Sequence, residues 1–206
     1  MVKNKPSSDA YRRLRTNIEY NSKYPNVHSV CLTSANKGSG TTTITCNLAT
    51  TFLANYFKVL LIDCNINKPR INKCFSIDSS LGLSDILLNQ DYSNYYNYCT
   101  NFKDEHSNNL LYVMGAGRKV KNVLDLLSSR YFQKFMETMK DQFDFILIDC
   151  PSLEDSNDVI PVGHLVDGVI LVVSLPETEK TNAKKALQQL NRNGVNVIGT
   201  VLNKVE

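Results

Sequence analysis

Residues 33–43 read TSANKGSGTTT and carry the strongest structural signal in the chain. A short apolar run precedes the glycines and hydroxyl side chains follow them, which is the outline of a phosphate-binding loop between a strand and a helix. The full P-loop pattern is G-x-x-x-x-G-K-[ST], in which the lysine reaches the β- and γ-phosphates and the hydroxyl binds Mg²⁺. Here Thr41 follows Gly40 at the lysine position. The stretch is therefore either an ordinary glycine turn or a P-loop with altered chemistry.

Apolar runs typical of buried strands alternate with helical patterns on both sides of this loop. Strands are predicted at 28–34, 58–63, 110–117, 143–150, 167–174 and 195–203. Helices are predicted at 7–21, 42–56, 79–89, 122–142 with a break near Ser128, and 177–193. Strands that are apolar throughout and joined by helices indicate a parallel sheet with helices on both faces, a three-layer αβα fold. With no repeat or linker, we expect one domain over residues 1–206.

Two of the predicted strands end in an aspartate. Asp63 ends KVLLID and Asp149 ends FDFILID. Ligands of parallel sheets bind outside the carboxyl ends of the strands, and Mg²⁺ prefers carboxylate, hydroxyl and phosphate oxygens. One such acid alone is as readily a helix cap, but two of them downstream of a glycine loop favour a nucleotide-phosphate site. The predicted Mg²⁺ ligands are Thr42, Asp63 and Asp149.

The glycines give a mechanism for phosphate binding that does not need a lysine. Gly38 and Gly40 allow positive φ angles, so that successive backbone N–H groups point inward as an anion-binding nest. The helix predicted to begin near Thr41 adds the positive end of its dipole. Taken alone, the G-S-G sequence would be read as a simple turn.

Composition limits the remaining functions. The chain has 206 residues, 42% hydrophobic and 21% charged, with a net charge of +3, which does not indicate a nucleic-acid partner. No apolar run approaches the roughly 18–20 residues that span a bilayer, and the first residues lack the apolar core of a signal peptide. The six cysteines form no C-x-x-C pair. We therefore expect a cytoplasmic protein.

Five segments, in this order along the chain, resemble the bacterial tyrosine kinases of capsular and exopolysaccharide synthesis. The segments are DAYRRLRTNI, TSANKGSGTTT with NLA, VLLIDCNINKPR, FDFILIDCPS and GTVLN. That family consists of P-loop ATPases of the MinD/ParA-like superfamily, so the resemblance implies a P-loop NTPase fold, ATP or ADP with Mg²⁺ as ligands, and ATP-dependent tyrosine phosphorylation. The segment at 9–18 distinguishes this family from plain partitioning ATPases.

The resemblance also implies roles for individual residues. Its P-loop maps on residues 34–42, and with the glycine geometry it assigns nucleotide binding to Gly38, Ser39, Gly40, Thr41, Thr42 and Thr43. Its second motif is D-x-D, whose acids assist Mg²⁺ and activate the attacking tyrosine hydroxyl; here these positions are Asp63 and Asn65. Its third motif maps on Asp149.

The departures from the family pattern leave three functions open. Thr41 replaces the P-loop lysine, Asn65 replaces the second acid, and Lys37 stands where the family commonly has proline. The first interpretation is a working tyrosine kinase in which Lys37 substitutes for the lysine. The second is a weak or inactive pseudokinase that acts as a nucleotide-binding structural partner in polysaccharide export. A MinD/ParA-like positioning ATPase is the third.

Assembly and partners follow from the same resemblance. In the family, an acid and two arginines of the first helix build a ring-shaped homo-oligomer, and here they map on Asp9, Arg12 and Arg15. The resemblance implies a membrane-anchored polysaccharide co-polymerase that activates the kinase and recruits it to the inner face of the membrane. The polar, aromatic segment 91–109 is predicted to be an exposed loop. Its tyrosines are then either phosphate acceptors or a plain solvated surface; they are Tyr92, Tyr95, Tyr96 and Tyr98.

Overall fold

The computed structural model describes residues 8–56, 58–78, 80–175 and 178–204. Within these residues the strands are β1 Ser29–Ser34, β2 Lys58–Asp63, β3 Thr100–Lys103, β4 Leu110–Met114, β5 Phe145–Asp149, β6 Gly168–Ser174 and β7 Val197–Asn203. The helices are α1 Ser8–Glu19, α2 Thr41–Leu53, α3 Ile71–Phe75, α4 Leu83–Asn89, α5 Val123–Leu127, α6 Arg130–Gln142, α7 Val159–Leu165 and α8 Lys180–Arg192. A 3₁₀ segment, Tyr92–Tyr98, precedes β3.

The described strands form one seven-stranded sheet in the order β3-β4-β2-β5-β1-β6-β7. All neighbouring strands are parallel except β3, which runs antiparallel to β4 at one edge. The predicted α/β fold with a parallel sheet is therefore confirmed, and β3 is an addition to it.

Helices cover both faces of the sheet and bury two separate apolar cores. One core packs α1, α2 and α3 against the sheet, with Phe52 stacked on Phe145 at a ring separation of 3.8 Å. The other core packs α4 to α8 against the opposite face and contains Phe132 and Phe135. Strands β1, β5 and β6 are buried over their whole length because they lie between these two layers. The three-layer arrangement is thus confirmed.

The strand register brings the carboxyl ends of the central strands together. Asp63 of β2 pairs with Asp149 of β5, and Leu32 of β1 pairs with the same Asp149 from the other side. The loop that follows β1 therefore lies directly beside both acids. This edge of the sheet is the place where a parallel α/β fold binds its ligands.

The prediction of an exposed loop over residues 91–109 is only partly right, since residues 104–109 form such a loop but the rest does not. The segment forms the 3₁₀ turns and β3, and Tyr95 and Tyr98 are buried while Tyr96 is exposed. The Tyr95 ring packs on Phe143 and Tyr112, at centroid distances of 5.2 and 5.9 Å, which gives the aromatic residues a place in the core. Neither 3₁₀ turns nor a short edge strand leaves a clear period in the sequence.

The helix predicted over 122–142 is broken near Ser128, as expected. Ser129 begins the second helix, and its hydroxyl accepts a hydrogen bond from the Phe132 backbone N–H. Two short helices, α3 and α7, were not predicted. Residue 7, where the first helix was predicted to begin, lies outside the described residues. None of the described helices is long and apolar enough to cross a membrane.

Candidate functional site

The loop between β1 and α2 has the main-chain shape that the glycines predict. Gly38 has a φ of 74° and Gly40 a φ of 86°, both in the left-handed region, and α2 begins at the next residue. A Cβ at position 40 would also meet the side-chain amide of Asn203, which would have to move away from the loop. That amide donates a hydrogen bond to the Ser39 carbonyl oxygen at 2.8 Å, so the end of β7 holds the loop.

The N-terminus of α2 faces the carboxyl ends of the strands and carries no side-chain cap. The first four N–H groups of a helix have no partner within the helix, so here they are available to an anion. Thr41, at the position of the missing lysine, has a buried side chain with 9% exposure. A threonine side chain is too short and carries no charge, so it cannot replace the lysine as a cation.

Thr42 lies against Asp149. The Thr42 hydroxyl donates to Asp149 Oδ2 at 2.6 Å, and Thr45 approaches Oδ1 of the same carboxylate at 3.4 Å. Burial raises the pKa of Asp149 well above its ordinary value, and the nearby Asp63 charge raises it further. The hydrogen bonds from Thr42 and Thr45 lower this pKa, but by less. Asp149 is thus a buried acid whose charged form the protein disfavours relative to water.

Asp63 is fully buried and makes its hydrogen bonds to the main chain. Its Oδ1 accepts from the N–H of Asn65 at 3.0 Å, and its Oδ2 accepts from the N–H groups of Arg70 and Ile71 at 3.1 Å each. Burial raises the pKa of Asp63 to about 6, although these three N–H groups act to lower it. The carboxylate therefore fixes the loop between β2 and α3, and Asn65 of that loop lines the adjoining cleft.

These elements enclose a cleft of about 640 Å³ at the carboxyl edge of the sheet. The six predicted nucleotide-binding residues, 38–43, all line it, as do Lys37 and Asn65. Its described walls carry one acid, Asp155, and five basic residues, which are Lys37, Lys68, Arg70, Lys73 and Lys204. Such an excess of positive charge suits a polyanion.

Two oxygens at and beside the cleft fit Mg²⁺ bound together with phosphates: Thr42 lines the cleft, and Asp149 lies behind Thr42, outside the lining residues. Among the residues that the structure describes, no group of three or more His, Cys, Asp or Glu side chains lies close enough to hold a metal ion alone. Mg²⁺ commonly takes one or two protein oxygens and completes its shell with phosphate and water. The Thr42 hydroxyl and the buried Asp149 carboxylate are such oxygens, and a cation would relieve the buried charge of Asp149.

The predicted assembly residues of α1 do not all lie on one exposed face. Asp9 and Arg12 are exposed and lie 3.7 Å apart in an ion pair. Arg15 instead turns toward α2, where its Nη1 donates to the Thr51 carbonyl oxygen at 2.8 Å and its Nε lies 3.6 Å from Glu19 Oε2. Of the three predicted assembly residues, Asp9 and Arg12 are therefore exposed to a second chain, and Arg15 is largely buried.

Comparison with known proteins places this site in a family. Residues 28–203 match the family model AAA_31, described as an AAA domain. Tyrosine-protein kinase YwqD of Bacillus subtilis (strain 168) is 32% identical over 197 residues, a span of 96% of this chain and 81% of that protein. The chain belongs to the bacterial tyrosine kinase family.

Solved structures agree with this family membership. The crystal structure of the chimerical protein CapA2B2 is similar at a TM-score of 0.87 and 29% identity, covering 98% of this chain and 86% of that one. MinD of Pyrococcus horikoshii OT3, solved in complex with Mg-ADP, is similar at a TM-score of 0.63 and 21% identity, covering 85% and 69% of the two chains. The fold of this tyrosine kinase family member is thus that of the MinD-like P-loop ATPases.

Three residues of the site were missed by sequence reasoning. Asn203 was quoted only within GTVLN, and no local pattern indicates that its amide reaches the glycine loop. Lys68 and Asp155 lie in different loops and form an ion pair of 2.9 Å. The one available signal was that each follows an aspartate-ended strand by a few residues.

Proposed function

We propose that this chain is a Mg-nucleotide-binding protein of capsular or exopolysaccharide synthesis in which phosphoryl transfer to tyrosine is slow. One observation carries the proposal: the main chain of the loop is shaped for phosphate, with Gly38 and Gly40 at positive φ, while Thr41 stands buried in place of the lysine. Main-chain N–H groups give binding, whereas the lysine neutralises charge between the β- and γ-phosphates during transfer.

Different residues of the chain are proposed to bind the phosphates and the Mg²⁺ ion. The N–H groups of residues 38–43 would contact the phosphates, and Thr42 and Asp149 would hold Mg²⁺. When bound, Mg²⁺ supplies charge neutralisation at the phosphate oxygens. Asp63 supports this by fixing the loop that carries Asn65, since both of its oxygens accept main-chain N–H groups.

Proton removal from a tyrosine is the second weakened step. The family pattern places an acid at position 65, and an amide cannot accept a proton as a carboxylate does. Losing a positioned acid–base group typically slows a reaction by about 10²–10⁴, and losing one preorganised donor to developing charge by about 10²–10³. The two losses act on one step and need not multiply, but either alone leaves a slow enzyme.

The proposed setting is a membrane-associated assembly. The family membership and the likeness to CapA2B2 support a membrane-anchored co-polymerase as partner and a ring of identical subunits. We propose that such a partner recruits the chain to the inner face of the membrane.

Calorimetry and a kinase assay test this function together. The parent is expected to bind Mg-ADP, and Mg-ATP less well than a lysine-containing P-loop would. Thr41→Lys is expected to tighten Mg-ATP binding more than Mg-ADP binding. Transfer of radiolabelled phosphate from ATP to tyrosine is expected to become measurable only once Thr41 is lysine, and to rise again with Asn65→Asp added.

Asp63→Ala in the double-substituted protein serves as the assay blank. A parent that binds neither nucleotide contradicts the binding function. A parent that phosphorylates tyrosine at an ordinary kinase rate contradicts the proposed defect.

A working kinase is the second candidate, because Lys37 lines the same cleft. Its ammonium lies 3.2 Å from Asp155, on a flexible stem with 53% exposure, so it is not committed to a buried contact. If the parent is active, Lys37→Ala is expected to abolish transfer while leaving the Asn203 contact to the loop, and hence the fold, unchanged.

A further inference from the structure

Two lysines from different loops share one carboxylate at the cleft. Lys68 Nζ lies 2.9 Å and Lys37 Nζ 3.2 Å from the same oxygen, Oδ1 of Asp155. The other oxygen accepts from the Ser152 hydroxyl at 3.0 Å. Lys37 precedes the glycines, Lys68 follows Asn65, and Asp155 follows the strand that ends in Asp149, so the contact joins the loops that follow all three strands of the site.

The charge balance of this cluster favours an added anion. Two ammonium groups share the Asp155 carboxylate, which is the one acid among the described side chains that line the cleft. The neighbouring Glu154 carboxylate accepts the backbone N–H of Lys37 at 2.9 Å and does not line the cleft. Burial acts to raise the pKa of Asp155, but Lys68, Ser152 and Lys37 together lower it, so the carboxylate is ionised near neutral pH. A di- or triphosphate in the cleft carries more negative charge than this one acid and would compete with it for both lysines.

A purely structural role explains the cluster poorly. Both lysine side chains are more than half exposed, and ion pairs between exposed groups contribute little to stability because water and salt screen them. The main chain of the Lys68 loop is already fixed by three hydrogen bonds to Asp63. The loop does not need the lysine to hold its shape.

We propose that Lys68, together with Lys37, is the cation that contacts the terminal phosphates of a bound nucleoside di- or triphosphate, and that Asp155 is a counter-ion that competes with those phosphates. Part of the positive charge that binds phosphate is thereby supplied from the β2–α3 loop, while the lysine that phosphoryl transfer needs at position 41 is still missing. This inference rests on the proposed nucleotide-binding function.

Calorimetry with Mg-ADP and with the Mg complex of a non-hydrolysable ATP analogue tests the roles of the three residues. Lys68→Met is expected to weaken binding of the analogue by about tenfold. It should weaken ADP binding less, because ADP lacks the third phosphate and presents less negative charge to the lysine. Asp155→Asn is expected to tighten both by about threefold to tenfold, since it removes the competing charge. The Lys68→Met protein should also show a smaller dependence of affinity on salt.

Lys140→Met is the matched control. Lys140 Nζ lies 3.0 Å from Asp167 Oδ1, and the Lys140 side chain is 38% exposed. Both residues line a different depression, together with His28 and Asp144. Its loss removes the same net charge far from the cleft and is expected to leave both affinities within twofold, about the scatter of surface substitutions.

The possible outcomes separate the two proposals. If the parent binds neither probe, the proposed function fails. If the parent binds but Lys68→Met binds as tightly as Lys140→Met, the inference alone is overturned. Asp155→Asn protein that keeps the parent's thermal midpoint yet binds more weakly would also overturn it, because Asp155 would then be positioning the lysines rather than competing for them.

Discussion

Two buried carboxylates on neighbouring strands are the least ordinary feature of the site. Asp63 and Asp149 are paired in register and almost completely shielded from water. Asp63 accepts three main-chain N–H groups, whereas among the described residues the hydrogen bonds to the Asp149 carboxylate come from two neutral hydroxyls. A charge held this way costs free energy of folding that a bound cation would return. We therefore expect Asp149, the proposed Mg²⁺ ligand, to destabilise the metal-free protein.

Asp149→Asn is expected to stabilise the metal-free protein, and by more at high pH. An acid whose pKa is raised in the fold binds protons more tightly there than in the unfolded chain, so its contribution to stability is lost as pH rises. For Asp63 that window runs from the ordinary value of 3.8 to about 6, and the Asp149 pKa is raised in the same direction. Urea unfolding without Mg²⁺ should show a gain over the parent at about pH 8, and a smaller gain at about pH 4.5.

Asp167→Asn is the control with the opposite sign. Burial acts to raise the pKa of Asp167, but the His28 N–H, Lys140 and Ser29 outweigh it and lower that pKa. Its stabilisation is present at neutral pH and lost as pH falls, so Asp167→Asn should destabilise the protein at about pH 8. An Asp149→Asn protein that is also less stable than the parent at that pH would show that the hydroxyl contacts outweigh the buried charge.

Two arginines of helix α1 make different contacts. Arg15 donates to the carbonyl oxygen of Thr51 in the last turn of α2, where a cation complements the negative end of the helix dipole. Arg12, one turn earlier, forms an exposed ion pair with Asp9. Residues three apart on a helix lie side by side but not on the same line, so one can face the neighbouring helix while the other faces water.

Arg15→Ala is expected to lower the free energy of unfolding by about 1–2 kcal/mol, because it removes a half-buried charge-assisted hydrogen bond. Arg12→Ala should change it by less than about 0.5 kcal/mol, as surface substitutions usually do. Thermal or urea unfolding of both variants measures this. Equal losses in the two proteins would mean that the contact of Arg15 with α2 contributes nothing to the docking of α1.

The central strands and the helix after the glycine loop were predictable from sequence, but several side-chain positions were not. The central strands and α2 were found because apolar runs and glycine loops are local signals, and the strand-end rule brought Thr42, Asp63 and Asp149 together. The burial of Tyr95 was not found, because it depends on Phe143 and Tyr112 from distant parts of the chain. Arg15 and Asp155 were misjudged or missed for the same reason: their partners lie in other elements.

For the whole molecule, the position of α1 relative to the cleft bears on assembly. The helix packs on α2, the helix whose first turn forms the phosphate loop, so a contact made through α1 touches an element of the site. Asp9 and Arg12 remain available because their mutual pair, at 3.7 Å and largely exposed, is weak and exchangeable. A head-to-tail contact in which Arg12 of one subunit meets an acid of the next would form a closed ring if the rotation between subunits closes.

Arg12→Glu is therefore expected to lower the mass measured by light scattering at high protein concentration, because it places like charges across the contact. Lys134→Glu is the control with the same change of charge, since Lys134 is also exposed but lies on α6, which covers the opposite face of the sheet from α1. Arg15→Ala is a poor test of assembly, because the loss of its contact with α2 would disturb α1 itself. A parent that stays monomeric with and without Mg-ADP, or a mass that falls equally in the Lys134 variant, would mean that this face of α1 does not form the contact.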